Sequence, residues 1–386
     1  MAICIIINPV DCPGQALGTP GYANREKRPS WRAGPVLDPA AHCQERTSER
    51  RAFWVCAVNF GGTTMKRIMT LLLAVVLAVS LGGCKGKLSV GLATPAQADG
   101  GVGAQAVQGL ETVKKKLSAS AKQQDSQSSE EYRDSLNKLA GQKLVFAVGK
   151  EMGDPLLYAA QEHSGTSFAL LDADPGAPMP NVYGVTFRSQ ESAFLAGYVA
   201  SYMPQGGKVG FVAQARDARS EEYEYGYRAG AAFGAREQGR TIEVAVRYAE
   251  DTDSSAGELA AGLFGDRAQV VFALDDVDAA LKAALDSGRY VICADRTDRV
   301  DGMLAVAVKQ VGNAMCETAN RYLAGSKGGE TLSLGLAENC LKLDCSVKVP
   351  EDVVSRMERL GTQISGGAIV PPADVASYEV FMEALG

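Results

Sequence analysis

The feature that most constrains this chain is its run of short apolar strands alternating with helices across short connections. The pattern is clearest in residues 181–213, NVYGVTFRSQESAFLAGYVASYMPQGGKVGFVA. Residues 182–186 read as a strand. Ser189 reads as the cap of a helix whose Phe194, Leu195, Tyr198, Val199 and Tyr202 share one face. Pro204, Gly206 and Gly207 stop that helix, and 208–213 is a second buried-type strand. Two β/α modules therefore meet across 203–207, as in a two-lobed protein with a cleft. Elsewhere, strands are expected at 88–93, 118–121, 143–148, 167–171, 241–248, 269–274, 290–294, 304–306 and 331–336. Helices are expected at 102–117, 130–140, 154–163, 220–236, 254–264, 277–287, 308–324, 350–360 and 374–385. Most of the strands are apolar without clean alternation, which argues for parallel sheets covered by helices on both faces.

The N-terminal region follows a different logic. Met65, Lys66 and Arg67 open a charged segment, 68–81 is an apolar run, and Leu81-Gly82-Gly83-Cys84 ends it. This is the layout of a secretory signal, too short to favour a membrane-spanning helix. The small residues before Cys84 resemble a bacterial lipobox, which implies cleavage there and acylation of the Cys84 thiol; a buried apolar helix is the plainer alternative. Residues 1–64 hold four of the nine cysteines and both tryptophans, show no periodicity and precede the signal. They are expected to be a mis-called extension, with 65–83 the lipoprotein signal peptide. Of the 39 basic and 45 acidic residues, nine and five precede Cys84, leaving the mature body with 30 against 40. An acidic body without a basic stripe argues against nucleic acid as a partner.

Candidate chemistry is sparse. Residues 101–106 (GVGAQA) have the spacing of a dinucleotide fingerprint, but seven residues separate the end of the preceding strand at Ala93 from Gly101, too many for its tight turn. His163 is the one histidine of the mature chain, which offers little for zinc or a Ser-His-Asp set, and it suits the cationic end of a helix. Asp298 and Asp301 read as turn residues; Asp275, Asp276 and Asp278 suit a helix N-terminus. No catalytic residue, metal or cofactor is expected. Cys340 and Cys345 can close a small disulfide or stand as buried free thiols. Asp99, Asp172 and Asp295 lie at or near the carboxyl ends of expected strands, where open α/β sheets bind ligands and where carboxylates accept hydrogen bonds from hydroxyl or N–H groups. Lys309 stands in the expected first turn of a helix after an apolar strand.

Several segments form a set when taken in order: Phe187-Arg188-Ser189-Gln190-Glu191-Ser192-Ala193-Phe194-Leu195-Ala196-Gly197, Gly207-Lys208-Val209-Gly210-Phe211-Val212 and Tyr223-Glu224-Tyr225-Gly226-Tyr227-Arg228-Ala229-Gly230-Ala231. Val270-Val271-Phe272, Val291-Ile292-Cys293-Ala294-Asp295, Val308-Lys309 and Leu334-Gly335-Leu336 follow. Together they resemble the basic membrane protein (Bmp) family of substrate-binding lipoproteins, which includes purine nucleoside receptors of ABC importers. The resemblance implies a type I periplasmic-binding-protein fold: two Rossmann-like lobes with parallel sheets, joined by three crossovers near 203–207, 294–298 and 325–329. Lobe I would comprise 84–203 and 298–326, and lobe II 207–294 and 330–386. It further implies a non-enzymatic solute-binding lipoprotein on the extracytoplasmic face of the cell membrane, held by its lipid anchor. Such a protein would pass a small polar ligand, a nucleoside or similar, to ABC permease subunits. Asp99, Asp172, Asp295 and Lys309 stand where the ligand's polar contacts would be, and Cys84 at the lipidation site. The sequence departs from the family pattern in the first ligand loop, where Val102 and Gly103 replace a stacking Phe and an Asn, and at 149–150 and 274–277. These departures leave room for another ligand, or for a non-transport surface lipoprotein acting as a sensor or interaction module.

Overall fold

The computed structural model describes residues 87–95, 101–203, 207–296 and 298–386; the expected extension (1–64) and signal peptide (65–83), Cys84 and Asp99 lie outside them. Two six-stranded sheets organise the described chain. The first has the order β11-β5-β4-β3-β1-β2, built from β1 (Ser89–Thr94), β2 (Ser120–Asp125), β3 (Leu144–Val148), β4 (Ser167–Leu171), β5 (Val182–Phe187) and β11 (Glu330–Leu334). The second has the order β12-β10-β9-β8-β6-β7, from β6 (Lys208–Ala213), β7 (Glu243–Tyr248), β8 (Val270–Ala273), β9 (Tyr290–Ala294), β10 (Met303–Lys309) and β12 (Leu341–Cys345). Every pairing is parallel except β10 with β12. Strands β3, β4 and β8 are buried at every position, which explains their unbroken apolar sequence.

The helices are α1 (Gly101–Lys116), α2 (Tyr132–Leu139), α3 (Gly153–Glu162), α4 (Ser189–Tyr202), α5 (Ala218–Glu237), α6 (Ala256–Gly265), α7 (Val277–Ser287), α8 (Val311–Ala324), α9 (Glu351–Ser365) and α10 (Val375–Leu385). Asp217 and Ser255 start α5 and α6 with reciprocal capping boxes. Ser189 is not the cap expected of it. It is the first helical residue of α4, and Arg188 precedes it without a side-chain cap bond.

Helix α4 also departs from the expected one-sided pattern, because almost all of its residues are buried. The reason lies in its contact with α5. Gly226 and Gly230 of α5 lie directly against the backbone of Gln190 and Phe194, and Gly197 of α4 against Tyr227. Any Cβ at these positions would overlap a main-chain carbonyl, so the two helices approach at backbone distance. Phe194 and Tyr198 then pack with Phe233 and the rest of the core of the second sheet. Although α4 follows β5, it therefore belongs to lobe II.

This contact moves the crossovers from their expected places. The chain first changes lobe between β5 and α4, at Arg188, so the crossover expected at 203–207 falls instead between α4 and β6, two elements of lobe II. It returns between β10 and α8, at Gln310, because β10 pairs with β9 while α8 packs on the core of the first sheet beside α1. The third change runs from β11 to β12, across 335–340, so the turn at 325–329 lies within lobe I. The expected boundaries are corrected accordingly: 298–309 belongs to lobe II and 330–334 to lobe I. Strand β12 was not anticipated. Cys340 and Cys345 bracket it, and an extended strand holds their Cα atoms about 16 Å apart, far beyond the roughly 4.4–6.8 Å a disulfide needs. All four cysteines of the described residues are free.

The three crossovers are stitched together. Arg188 donates from Nε to Glu191 (2.5 Å), from Nη2 to Glu338 (2.7 Å) and from Nη1 to the Ser333 carbonyl. Glu191 accepts from the Leu336 N–H at 2.7 Å and Glu338 from the Gly335 N–H at 2.8 Å. The Gln310 N–H donates to the Cys340 carbonyl at 2.7 Å, which ties the second crossover to the third.

The helix contact gives a direct test. Gly230→Ala should lower stability by at least about 1–3 kcal/mol in urea unfolding, because the added methyl meets backbone and not a movable side chain. Gly262→Ala, on the exposed side of α6 with open space around it, should be neutral or stabilising by about 1 kcal/mol or less. Equal losses in both variants would refute the backbone-contact account.

Candidate ligand-binding site

The carboxyl ends of the two sheets converge on one buried ammonium. Lys309 ends β10, whereas the sequence placed it in a helix. Its Nζ lies 3.0 Å from Asp172 Oδ2 and 3.0 Å from Asp295 Oδ2. Asp172 follows β4 in lobe I, and Asp295 follows β9 in lobe II. Each turns out of its strand with a positive φ, 61° and 59°, a conformation aspartate tolerates better than most side chains. Their N–H groups donate to Val185 (2.8 Å) and Ala307 (2.9 Å) in the adjoining strands, which fixes where the carboxylates sit. Three of the four site residues expected from sequence are thus brought into contact. Asp99, the fourth, lies outside the described residues; Gly101, the first residue of α1, lies close to the Asp295 carbonyl.

The electrostatics are demanding. Lys309 is 1% exposed. Burial disfavours its ammonium, but Asp172 and Asp295 outweigh that and hold it charged well above the ordinary lysine range. Burial raises the Asp172 pKa, and Lys309 opposes the rise. Asp295 Oδ1 and the Tyr223 hydroxyl are buried without a hydrogen-bond partner. Burial pushes Tyr223 up to about 12, so it is a neutral donor at physiological pH. Phe187 and Tyr223 present their rings to the ammonium, with centroids 5.7 and 5.9 Å from Nζ. Two charged carboxylates and an orphaned acceptor are poor material for stability, because each must be desolvated. They are good material for holding a ligand's N–H and O–H groups.

Sequence reasoning missed the neighbours of this triad. Arg219, in the first turn of α5, lies 3.9 Å from Asp295 and 3.7 Å from Asp275. Asp275, read as a helix-start residue, accepts from the Gln214 N–H at 2.8 Å and so braces the loop after β6. Glu222, also on α5, faces Ser189 at the start of α4. The available signal was positional: all three lie just beyond a strand's carboxyl end or in the helix turn that follows it. The glycines of the dinucleotide-like 101–106 segment open α1, and Gly109 beyond them lets α1 meet Gly312 of α8 closely. Their neighbourhood serves helix packing.

Two outcomes follow from these charges. Lys309→Met would leave the buried Asp295 and the partly buried Asp172 without their cation and should cost about 3–5 kcal/mol in urea unfolding at pH 7. The loss should shrink as pH falls and Asp172, whose pKa burial raises, takes up a proton; a loss independent of pH would point to packing instead. Burial pushes Glu222 up to about 7 from 4.5, with Lys309 and the Ser189 N–H and hydroxyl pulling down and Asp172 pushing up. The folded state therefore holds a proton that the unfolded chain releases near 4.5. The resulting stability is complete below pH 4.5 and is lost as pH rises through 7. Glu222→Gln should melt about 2–4 °C above the parent at pH 8, with the difference vanishing by pH 4.5 in scanning calorimetry.

Known proteins share this sequence and architecture. The family described as Bmp, ABC transporter substrate-binding protein PnrA-like, matches residues 87–373. Basic membrane protein A of Borreliella burgdorferi is 27% identical over 337 residues, covering 81% of this chain and 98% of the relative. Basic membrane protein D of another strain of that species is 29% identical over 255 residues, covering 62% and 74%. Among solved structures, an ABC transporter solute-binding protein from Conexibacter woesei superposes with a TM-score of 0.62 at 21% identity, covering 74% of this chain and 99% of its own. One from Aeropyrum pernix gives 0.59 at 21%, covering 77% and 97%. These structures share the type I periplasmic-binding-protein fold, and the family consists of solute-binding proteins, not enzymes. With the match spanning nearly all of the described residues, this chain belongs to the Bmp family of ABC transporter substrate-binding proteins.

Proposed function

We propose that this protein captures a small, polar, uncharged solute between its lobes, a nucleoside in the first instance, and delivers it to the permease of an ABC importer. The observation that carries the reading is the Asp172–Lys309–Asp295 bridge. It spans the two sheets at their carboxyl ends and leaves Asp295 Oδ1 buried and unpartnered. A ligand N–H or O–H completes that carboxylate. Substrate-binding proteins of ABC transporters work outside the cytoplasm. Acylation of Cys84 after removal of 65–83 would keep this one at the membrane surface, and among the described residues no helix is long and apolar enough to cross the bilayer. Capture involves no covalent step: ligand binding shifts the population of lobe arrangements about the three stitched crossovers.

The test is a thermal-shift screen of the chain from Gly86 onward against purine and pyrimidine nucleosides, sugars and amino acids. A ligand at a hundred times its dissociation constant adds about 2.7 kcal/mol to the native state, a rise of several degrees. Asp295→Asn should abolish the rise; because it also leaves the buried Lys309 with a single carboxylate, its unliganded melt should fall below that of the parent, and the ligand-induced shift is read against the variant's own baseline. A screen in which no small molecule moves the melt would overturn the solute-capture reading and leave the fold as a surface interaction module.

A further inference from the structure

Arg219 is a cation in an unfavourable place. It lies in the first turn of α5, where the helix dipole opposes positive charge, yet it is set between the cleft carboxylates. Its two terminal nitrogens point along the guanidinium edge to Asp275 Oδ1 and Asp295 Oδ2, at 3.7 and 3.9 Å. The Tyr223 ring lies to one side, with its centroid 5.8 Å from the guanidinium carbon. Neither approach is close enough for a hydrogen bond, and the side chain remains 45% exposed, so the guanidinium stands beside Asp295, whose Oδ1 is unpartnered, with surface to spare for a ligand. At exposed ion-pair distances this long, charge neutralisation alone contributes little and does not explain the arrangement.

We propose that Arg219 is the specificity-determining residue of the cleft: its guanidinium plane stacks on the ring of a planar heterocycle whose N–H edge is read by Asp295. The role rests on the solute-binding reading above. It disfavours recognition of an anionic group by Arg219, because Asp275 and Asp295 lie within ion-pair distance of the guanidinium and repel a second anion. Guanidinium planes stack on nucleobases in other settings for the same electronic reasons. Around the site Asp172, Asp275 and Asp295, with Glu222 close by and raised to about 7 by burial, outnumber the cations Lys309 and Arg219, so an uncharged ring is favoured over a phosphorylated one.

Isothermal titration with adenosine, guanosine and AMP on the parent, Arg219→Ala, Arg219→Lys and Arg219→Tyr separates plane from charge. The expected result is that Ala and Lys weaken adenosine and guanosine ten- to a hundredfold, while Tyr, which keeps a plane and loses the charge, stays within about fivefold of the parent. AMP should bind the parent at least tenfold more weakly than adenosine. Melting of each unliganded variant within about 2 °C of the parent would confirm that the fold is intact. The proposal is overturned if Lys binds like the parent and Tyr does not, if Ala is without effect, or if AMP binds more tightly than adenosine and loses that advantage in Arg219→Ala. A parent that binds no nucleoside overturns the nucleoside reading and the stacking role together. A parent that binds them with unchanged variants overturns the stacking role alone.

Discussion

The arrangement depends first on Arg188. One guanidinium at the first change of lobe is held by Glu191 from α4, by Glu338 from the third crossover and by the Ser333 carbonyl at the end of β11. Its Nη2 and Glu191 leave no room for a side chain at residue 335, so Gly335 lets the third strand pass beside the first. Gly335 and Arg188 hold the Glu338 carboxyl below its ordinary range against the effect of burial. A charged, partly buried node of this kind is costly to dismantle, since removing one member leaves the others unpaired. The three strands that join the lobes therefore act as one hinge.

The buried triad is placed with respect to that hinge in a way that matters for closure. Lys309 and Asp295 both belong to lobe II, and Lys309 is one residue before the second crossover. Asp172 belongs to lobe I. When the lobes separate, Lys309 and Asp295 travel together, and the contact that must break is the one to Asp172. An ammonium this buried keeps its charge only while carboxylates surround it. Opening thus exposes a charge pair to water, and closing requires that the polar groups be partnered again. A ligand that supplies hydrogen bonds to Asp172 and Asp295 gives the closed arrangement the differential affinity that a population shift needs.

Much of the fold was legible in the sequence because burial wrote it there. Strands β4, β6 and β9 and helix α7 occupy the expected residues, since strands covered on both faces are continuous apolar runs bounded by turn residues. The lobe boundaries were not legible. Pro and Gly at 203–207 and the glycines at 325–329 are helix-stopping signals in the sequence, and such a signal looks the same whether or not the chain changes sheet. Deciding that required the long-range fact that Gly226, Gly230 and Gly197 bring α4 against α5, and Gly109 and Gly312 bring α1 against α8. Strand β12 escaped because LKLDC alternates on the edge of a sheet otherwise built of buried runs.

The site divides along the same line. Asp172 and Asp295 announce themselves, because a carboxylate immediately after an apolar strand is placed at the sheet's binding edge whatever the rest of the chain does. Lys309 was visible as a residue but was assigned to the wrong element, and its burial was hidden. A lysine closing an apolar strand gives no sign of the two acids that make its burial tolerable, since they arrive 137 and 14 residues away. Arg219 was hidden more deeply. In sequence it is one basic residue in an ordinary helix start; in space it lies between two strand-end carboxylates with an aromatic ring behind it. Local pattern locates the groups defined by their position on the sheet, whereas groups defined by their surroundings emerge only when the surroundings are built.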